Sequence, residues 1–309
     1  MSAAPGGSAV AIGVFDGLHL GHHAILERAR TRALEGVGRF VVMSFDPHPD
    51  VVLAREAFHS PPPLTPLGEK RARLVALRVD DFQVLPFTRE LASLEPEEFV
   101  DRHLVRPHHP SALVVGEGFA LGRGRAGTVE RLRSIGATRG FEVEAVPLVV
   151  MDGAPVSSTR IRALLDGGDV EGAARLLGRR YGLSATVVTG DGRGRQLGYP
   201  TANLRLHEER QLPADGIYAV LASAPAEGGW RAAAMSIGVR PTFDGQVRTL
   251  EVHLLDWSGD LVGQRLDVEF VAWLRPELRF ESAEALVAAM DRDVAETRRL
   301  LGGMAARLV

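Results

Sequence analysis

The chain has 309 residues, of which 45% are hydrophobic and 24% are charged, and its formal net charge is −3. This composition predicts a globular protein of two domains, and the lack of cysteine excludes disulfides, thiolate catalysis and cysteine metal sites. The charge balance does not indicate nucleic-acid binding, and residues 1–8 lack the pattern of a signal peptide or membrane span, so we expect a cytoplasmic protein.

The first half of the chain alternates apolar strand-like runs with helical stretches. Strands are expected at 9–14, 40–45, 82–85, 112–115 and 141–146. Helices are expected near 21–35, 66–78, 96–104 and 127–139. This alternation predicts a parallel sheet with helices on both faces, in which ligands bind beyond the carboxyl ends of the strands.

The first such end carries Gly-Val-Phe-Asp-Gly-Leu-His-Leu-Gly-His at 13–22. A strand-to-helix turn offers backbone N–H groups and a helix dipole to a phosphate, and two histidines three residues apart can both point at one anion. Gly21 lets a nucleotide approach the backbone. The pattern resembles the nucleotidyltransferase superfamily, but alone it leaves open pantetheine-phosphate, nicotinate-nucleotide, cytidylyl and flavin enzymes.

Further polar residues follow at the same predicted sheet edge and at a later helix start. Asp46-Pro47-His48-Pro49 follows the second strand, and Gly-Glu-Gly-Phe at 116–119 follows the fourth. The hydroxyls of Ser157, Ser158 and Thr159 precede Arg162, a combination suited to the β- and γ-phosphates of a triphosphate. We therefore expect His19 and His22 to neutralise an α-phosphate under in-line attack, with Arg162 on the pyrophosphate leaving group.

After about residue 178 the pattern changes to short β-rich runs at 184–189, 216–222, 230–237, 250–255 and 265–271. This predicts an antiparallel barrel or sandwich, and we place the domain boundary between 178 and 179. A final helix is expected at 283–301 with Ser282 as its N-cap. Its apolar stripe is interpreted as packing against the barrel; the stripe comprises Leu286, Met290, Val294 and Leu301.

The second half contains its own candidate phosphate site. Glycines at 190, 192 and 198 permit a loop that wraps phosphates. Thr201 and Asn203, two residues apart on an extended chain, face the same side and offer the hard oxygen donors that Mg²⁺ prefers. Glu251, inside a β-rich run, is placed to take the proton of a bound alcohol during phosphoryl transfer. Residues 236–243 are expected to form a loop that closes on a ligand.

These motifs, in this order, resemble the bacterial bifunctional riboflavin kinase/FAD synthetase family over nearly the whole chain. The resemblance implies an α/β Rossmann-like nucleotidyltransferase domain, followed by an all-β six-stranded antiparallel flavokinase barrel with a C-terminal helix. It implies two reactions: riboflavin and ATP give FMN and ADP, and FMN and ATP give FAD and pyrophosphate. The implied partners are these small molecules and Mg²⁺, in a monomer or weak homo-oligomer.

The resemblance also implies roles for individual residues. Its catalytic residues are Glu251, acting on the ribityl 5′-hydroxyl, and His19, His22 and Arg162. Its nucleotide-binding residues are Gly13, Phe15, Asp16, Gly21, Ser157, Ser158, Thr159, Gly190, Gly192, Gly198, Thr201 and Asn203, the last two also holding magnesium. Its flavin-binding residues are Asp46, Pro47, His48, Pro49, Phe119, Arg240 and Thr242.

One departure from the family pattern concerns the residue after Glu117. Family members usually carry Asn or Asp where this chain has Gly118, and the alternation of an extended chain turns Glu117 to the other side. Three alternatives stand beside the main interpretation, and the departure at Gly118 bears on the first of them. They are a riboflavin kinase with a weak or inactive adenylyltransferase domain, a different nucleotidyltransferase fused to a binding barrel, and a catalytically silent flavin-binding regulator.

Overall fold

The computed structural model describes residues 7–36, 38–53, 61–190, 192, 194, 197–224, 228–242 and 245–302, without the side chains of 240–242 and 245–247. The chain divides into two compact units, Met1–Ser158 and Thr159–Val309. Within the described residues no helix combines the length and the apolar character needed to cross a membrane.

The first unit is built on a parallel five-stranded sheet, as the alternation predicts. Its strands are β1 (Ser8–Ile12), β2 (Phe40–Asp46), β3 (Asp81–Pro86), β4 (Pro110–Gly116) and β7 (Glu142–Val146). Two small hairpins pair β5 (Ala120–Leu121) with β6 (Gly127–Thr128) and β8 (Val150–Met151) with β9 (Ala154–Pro155). The strand order is β3-β2-β1-β4-β7. The chain adds strands on one side of β1 first and then, from β4, on the other side, so a crevice is expected between the carboxyl ends of β1 and β4.

The described residues of this unit form seven α-helices besides the sheet. They are α1 (Leu20–Glu35), α2 (Pro49–Leu53), α3 (Leu67–Ala76), α4 (Arg89–Ser93), α5 (Pro96–Val100), α6 (Arg106–His108) and α7 (Val129–Arg139). Helices α1 and α3 pack on one face of the sheet, and α4, α5 and α7 pack on the other. A π-helical segment, Asp101–Val105, joins α5 to α6. Alternate β1 residues enter different cores, Val10 and Ile12 on one face and Ala9 and Ala11 on the other. A strand buried on both sides explains why β1 reads as a continuous apolar run.

The second unit contains a closed barrel of six antiparallel strands, which confirms the predicted fold class. Its strands are β10 (Gly182–Val188), β11 (Ala202–Arg205), β12 (Gly216–Ser223), β13 (Arg231–Thr242), β14 (Gly245–Leu254) and β15 (Arg265–Arg275). They close in the order β10-β11-β14-β13-β12-β15. The final helix, α10 (Ala283–Leu301), begins after Ser282, whose hydroxyl accepts the Ala285 N–H at 3.2 Å as an N-cap.

The loop expected at residues 236–243 is wrong. Strand β13 continues to Thr242, and its pairing with β14 runs without interruption to Thr242 opposite Gly245. Backbone hydrogen bonds to β14 therefore hold residues 236–242 as a strand, and Phe243 lies outside the described residues. The side chains of Arg240 and Thr242, both expected to bind flavin, lie outside the described residues.

Two helices follow the sheet in the chain, α8 (Ser158–Asp166) and α9 (Val170–Leu177), and all of their residues except Ser158 belong to the second unit. The N–H of Ala214 donates to the Leu165 carbonyl at 2.8 Å, and the amide of Gln211 donates to Asp166 at 2.7 Å. The ring of Trp273 on β15 lies 3.3 Å from the position of a Cβ at Gly168. These contacts group α8 and α9 with the barrel, and the domain boundary at 178/179 stays a prediction.

Candidate functional site

The turn between β1 and α1, residues 13–19, brings His19 and His22 together and is called the histidine turn below. His19 is the N-cap of α1, and its Nδ1 accepts the backbone N–H of His22 at 3.3 Å. Because Nδ1 is an acceptor, the proton of a neutral His19 ring lies on Nε2. The two imidazole rings stack with their centroids 3.6 Å apart and an interplanar angle of 17°. The cap therefore fixes both rings at the start of a helix, where the dipole favours an anion.

Two glycines of the motif make room for rings. A Cβ on Gly21 would lie 3.1 Å from Cε1 of His19, and a Cβ on Gly13 would lie 3.2 Å from Cζ of Phe15. Either contact is tighter than most Cβ contacts, so a larger residue would require the ring to shift by a few tenths of an ångström. We expected Gly21 to admit a nucleotide to the backbone; the structure also uses it to seat the His19 ring.

Phe15 and Asp16 support the turn from inside. Phe15 is 1% exposed, and its ring meets that of His22 edge-on at 5.4 Å. Asp16 is 4% exposed, and its carboxylate accepts the backbone N–H groups of Leu64 and Thr65, each at 3.1 Å. The assignment of these two residues as nucleotide-binding stays a prediction, while their structural contribution is to position the histidine turn.

The serine motif also reaches this turn. The Ser158 hydroxyl donates to the backbone carbonyl of Asp16 at 2.8 Å. Ser158 is the first residue of α8, Ser157 precedes it, and Thr159 and Arg162 lie in the opening turns of that helix. Ser158, the last residue of the first unit, is thus held against the turn that carries the histidines. The phosphate roles of Ser157, Thr159 and Arg162 remain predictions.

The residues that follow β2 occupy the expected edge of the sheet. Asp46 is the last residue of β2, and Asp46 and Pro47 are exposed. Nδ1 of His48 accepts the N–H of Asp50 at 3.1 Å, which holds the ring over the start of α2 at Pro49. Residues 46–49 follow the strand that pairs with β1, and this places them at the same edge of the sheet as the histidine turn. Their role in flavin binding stays a prediction.

The end of β4 lies at the carboxyl edge of the sheet, next to β1, and leads to the departure at residue 118. Phe119, expected to bind flavin, is half-buried against the core of the first unit. The Glu117 carboxylate accepts the N–H of Leu148 at 3.3 Å, which fits its expected orientation away from residue 118. A Cβ on Gly118 would meet no described atom within 4 Å. The backbone therefore has room for the side chain that this chain lacks.

The barrel aligns the second group of predicted residues across three strands. Asn203 on β11 pairs with Glu251 on β14, and Glu251 pairs with Ser236 on β13. Directly opposed residues of antiparallel strands share one face, so the three side chains form a row. The Thr201 hydroxyl donates to the Glu251 carboxylate at 3.4 Å. Thr201, Asn203 and Glu251 are therefore brought together as the sequence predicted, and Ser236 joins them.

Two cavities meet at Thr201. One, of about 500 Å³, is lined by Gly190, Gly192, Thr201 and Asn203, and includes Trp257 on its wall. The other, of about 370 Å³, is lined by Thr201 and Glu251 together with apolar side chains. A Cβ on Gly190 would collide with the Asn203 amide, so glycine is required there. Gly198 has a φ of 88° and turns the chain, and it does not line either of the two cavities described.

The interpretation of the α10 stripe as packing alone is wrong. Leu286, Met290 and Val294 line the smaller cavity, while Leu301 is fully buried against β12 and β15. The amino-terminal part of the helix lies opposite the Glu251 face of the barrel and encloses a cavity there. Apolar spacing on a helix identifies the buried face, but it does not distinguish a packed interface from a lined cavity.

Sequence reasoning missed an ion pair in the wall of this cavity. The guanidinium of Arg275 on β15 binds the Asp293 carboxylate of α10 through two nitrogens, at 2.9 and 2.7 Å, and the Phe280 ring lies 5.6 Å from the guanidinium. Asp293 is only 8% exposed. The available signal was its position, seven residues after Leu286 on the apolar face of α10, where a carboxylate needs a buried partner.

His253 positions the segment that contains Thr201. Its Nδ1 lies 2.8 Å from the carbonyl of Pro200, and its ring meets that of Tyr199 at 5.4 Å. A carbonyl only accepts, so Nδ1 carries the proton and donates it. The hydroxyl of Tyr199 in turn donates to Asp291 on α10. This chain of contacts joins β14 and α10 to the residues that lead into Thr201.

Comparison with known proteins identifies the family. A family model described as FAD synthetase matches residues 1–160, and one described as riboflavin kinase matches residues 177–301. The bifunctional riboflavin kinase/FMN adenylyltransferase of Pseudomonas fluorescens is 43% identical over 97% of this chain and 95% of its own length. The chain belongs to this bifunctional family.

Other relatives agree over similar lengths. The protein of the same description from Listeria monocytogenes is 36% identical over 94% of this chain and 91% of its own. A crystal structure from Streptococcus pneumoniae, described as a macrolide-efflux protein, superposes with a TM-score of 0.87 at 31% identity, and covers 96% of this chain and 95% of that one. The bifunctional family therefore extends over both units.

Proposed function

We propose that this chain makes FAD from riboflavin in two steps at two sites. The barrel transfers the γ-phosphoryl group of ATP to the ribityl 5′-hydroxyl, which gives FMN and ADP. The site around the histidine turn then joins the FMN phosphate to the α-phosphorus of a second ATP, which gives FAD and pyrophosphate. The observation that carries the proposal is the pair of cavities that meet at Thr201, next to Glu251.

The two cavities suit the two kinase substrates. The larger one has a glycine-lined wall, which offers backbone N–H groups to phosphates, and we assign ATP to it. The smaller one has an apolar lining from α10, and we assign the flavin ring to it. The phosphoryl group then passes at Thr201, the residue that lines both. Glu251 takes the proton of the 5′-hydroxyl as that oxygen attacks the γ-phosphorus.

The residues around Thr201 also fit a magnesium ion. The Thr201 hydroxyl and the Asn203 amide carbonyl are hard oxygen donors on one wall of the larger cavity, and Mg²⁺ uses few protein ligands because it keeps water and phosphate oxygens. When bound, the ion neutralises charge on the β- and γ-phosphates. Asn203 is held in place by its packing against Gly190.

The histidine turn suits adenylyl transfer. A phosphate oxygen of FMN attacks the α-phosphorus, the bond to the bridging oxygen breaks, and pyrophosphate leaves with the electron pair. The stacked imidazoles of His19 and His22 stand where charge builds on the α-phosphate oxygens, and a neutral His19 carries its ring proton on Nε2. The Asp16 carbonyl holds the Ser158 hydroxyl, and we assign the leaving phosphates to the hydroxyl-rich motif at 157–159.

The proposal includes the location of the protein and its assembly. We expect the protein to act in the cytoplasm as a monomer or weak homo-oligomer, with no nucleic-acid partner.

One observation favours a second candidate function, a riboflavin kinase with a weak adenylyltransferase. The end of β4 lacks a side chain at Gly118 although the backbone has room for one.

Product analysis tests the proposal. The full-length protein is incubated with riboflavin, ATP and Mg²⁺, and the flavins are separated by chromatography. We expect FMN to appear first and FAD to follow. Accumulation of FMN without FAD selects the kinase with a weak adenylyltransferase. Flavin binding without conversion refutes both enzymatic assignments and leaves the silent flavin-binding protein.

A further inference from the structure

Lys70 is a buried basic residue directly behind the histidine turn. Among the 36 Lys and Arg residues of the chain it is the single lysine. It lies in the first half of α3, is 6% exposed, and its Nζ donates to the backbone carbonyl of Val14 at 2.8 Å. A buried lysine costs free energy unless it is paired, so this position needs an explanation.

The carbonyl that Lys70 holds is the point where β1 becomes the histidine turn. The same oxygen accepts the hydroxyl of Ser44, which is fully buried, at 2.9 Å. Two side chains from two elements therefore occupy both acceptor positions of Val14. The next residues include Phe15 and Leu18 at φ values of 51° and 43°. Such a left-handed backbone costs about 1–3 kcal/mol per residue and persists only where its surroundings fix it.

The charges around Lys70 explain why the residue is lysine. Burial lowers the pKa of Lys70, while the carboxylates of Asp16 and Asp46 act in the opposite direction. Both carboxylates flank a turn to which we assign anionic substrates, and a cation behind it offsets their negative charge. Lysine places a compact point charge on a flexible stem against the one buried carbonyl, whereas arginine is a wide planar fork.

We infer that Lys70 is a positioning residue for adenylyl transfer, which holds the Val14 carbonyl and offsets the charge of Asp16 and Asp46 so that the histidines meet the α-phosphate. This inference rests on the proposed second step. The two histidines act where charge builds in the transition state, so their misplacement lowers kcat more than it raises the KM for ATP. A displacement of the order of 1 Å at such a site costs about 10²-fold in rate.

The absence of cysteine allows a test in which only the terminal group changes. Lys70→Cys introduces the chain's single thiol. The variant is alkylated in urea with 2-bromoethylamine, which rebuilds a side chain of the same length ending in an amine, or with 1-iodopropane, which ends it in a methyl group. Both proteins are refolded, and the wild-type chain, treated identically, is the control. Conversion of FMN to FAD and of riboflavin to FMN is then measured for each.

We expect the propyl protein to lose about 10²-fold in kcat for FAD formation, with a KM for ATP within threefold of the control. The aminoethyl protein should recover to within about fivefold of the control. Kinase activity should be equal in all three, which shows that refolding succeeded. If the two alkylated proteins form FAD at equal rates, whether high or low, the proposed role of Lys70 is refuted, while the second step itself is not. A control that phosphorylates riboflavin but never makes FAD refutes the second step and this inference with it.

Discussion

Replacement of Glu251 by glutamine tests the kinase site with the smallest change in shape. The amide keeps the size of the side chain and can still accept from the Thr201 hydroxyl, but it is not a base. The Thr201 contact, at 3.4 Å, can therefore persist, and the free energy of unfolding is measured beside the rates to check that the variant keeps its fold. Loss of a general base costs about 10²–10⁴-fold in rate, or about 3–5 kcal/mol of transition-state stabilisation.

The assay measures initial rates of FMN formation from riboflavin at saturating ATP, and of FAD formation from supplied FMN, in one preparation. We expect the first rate to fall by that factor and the second to stay unchanged. Glu269→Gln is the matched control, because Glu269 is a partly exposed β15 residue paired with Arg180 at 3.3 Å and should not affect either rate. A Glu251→Gln protein with a kinase rate within threefold of wild type would show that Glu251 is not the base.

Three further changes probe the other contacts. His22→Ala should lower the rate of FAD formation by about 10²–10³-fold and leave the kinase rate unchanged, and equal losses in both rates would contradict separate sites. The control is His23→Ala, a change in a groove on α1 that should alter neither rate. Arg275→Met should lower the free energy of unfolding by about 3 kcal/mol in urea titrations, because it leaves Asp293 buried without its cation, and adding Asp293→Leu should restore it; a loss below 1 kcal/mol refutes this. Gly118→Asn should leave the urea midpoint of unfolding unchanged, since the new Cβ has open space. It should raise kcat/KM for FMN in FAD formation by about 2–10-fold, the contribution of one hydrogen bond, and no gain would show that residue 118 does not contact the substrate.

Local patterns predicted the parts of the sites that depend on one or two neighbouring elements. The stacked pair His19 and His22 follows from a spacing of three at a helix start. The shared side of Thr201 and Asn203 follows from strand alternation, although β11 itself was not identified, because four residues after a glycine-rich loop give too short a signal. The pairing of Asn203 with Glu251 joins distant strands and did not follow from that pattern.

Features that depend on distant contacts could not be predicted. The cavity lining of Leu286 and Met290 arises where α10 crosses the outside of the barrel. The buried state of Asp16 depends on the loop at Leu64, and the pairing of Arg275 with Asp293 depends on how β15 meets α10. Sequence periodicity reports which face of an element is buried, but not what lies opposite that face.

Two isotopes in ATP test the central claim of two successive transfers most directly. The wild-type chain is supplied with riboflavin and ATP labelled at the γ-phosphorus with one isotope and at the α-phosphorus with another, and FMN and FAD are isolated. We predict that FMN carries only the γ label and that FAD carries both in equal amounts, with pyrophosphate released. Any α label in FMN, or FAD formed without γ label, would contradict a kinase step followed by adenylyl transfer.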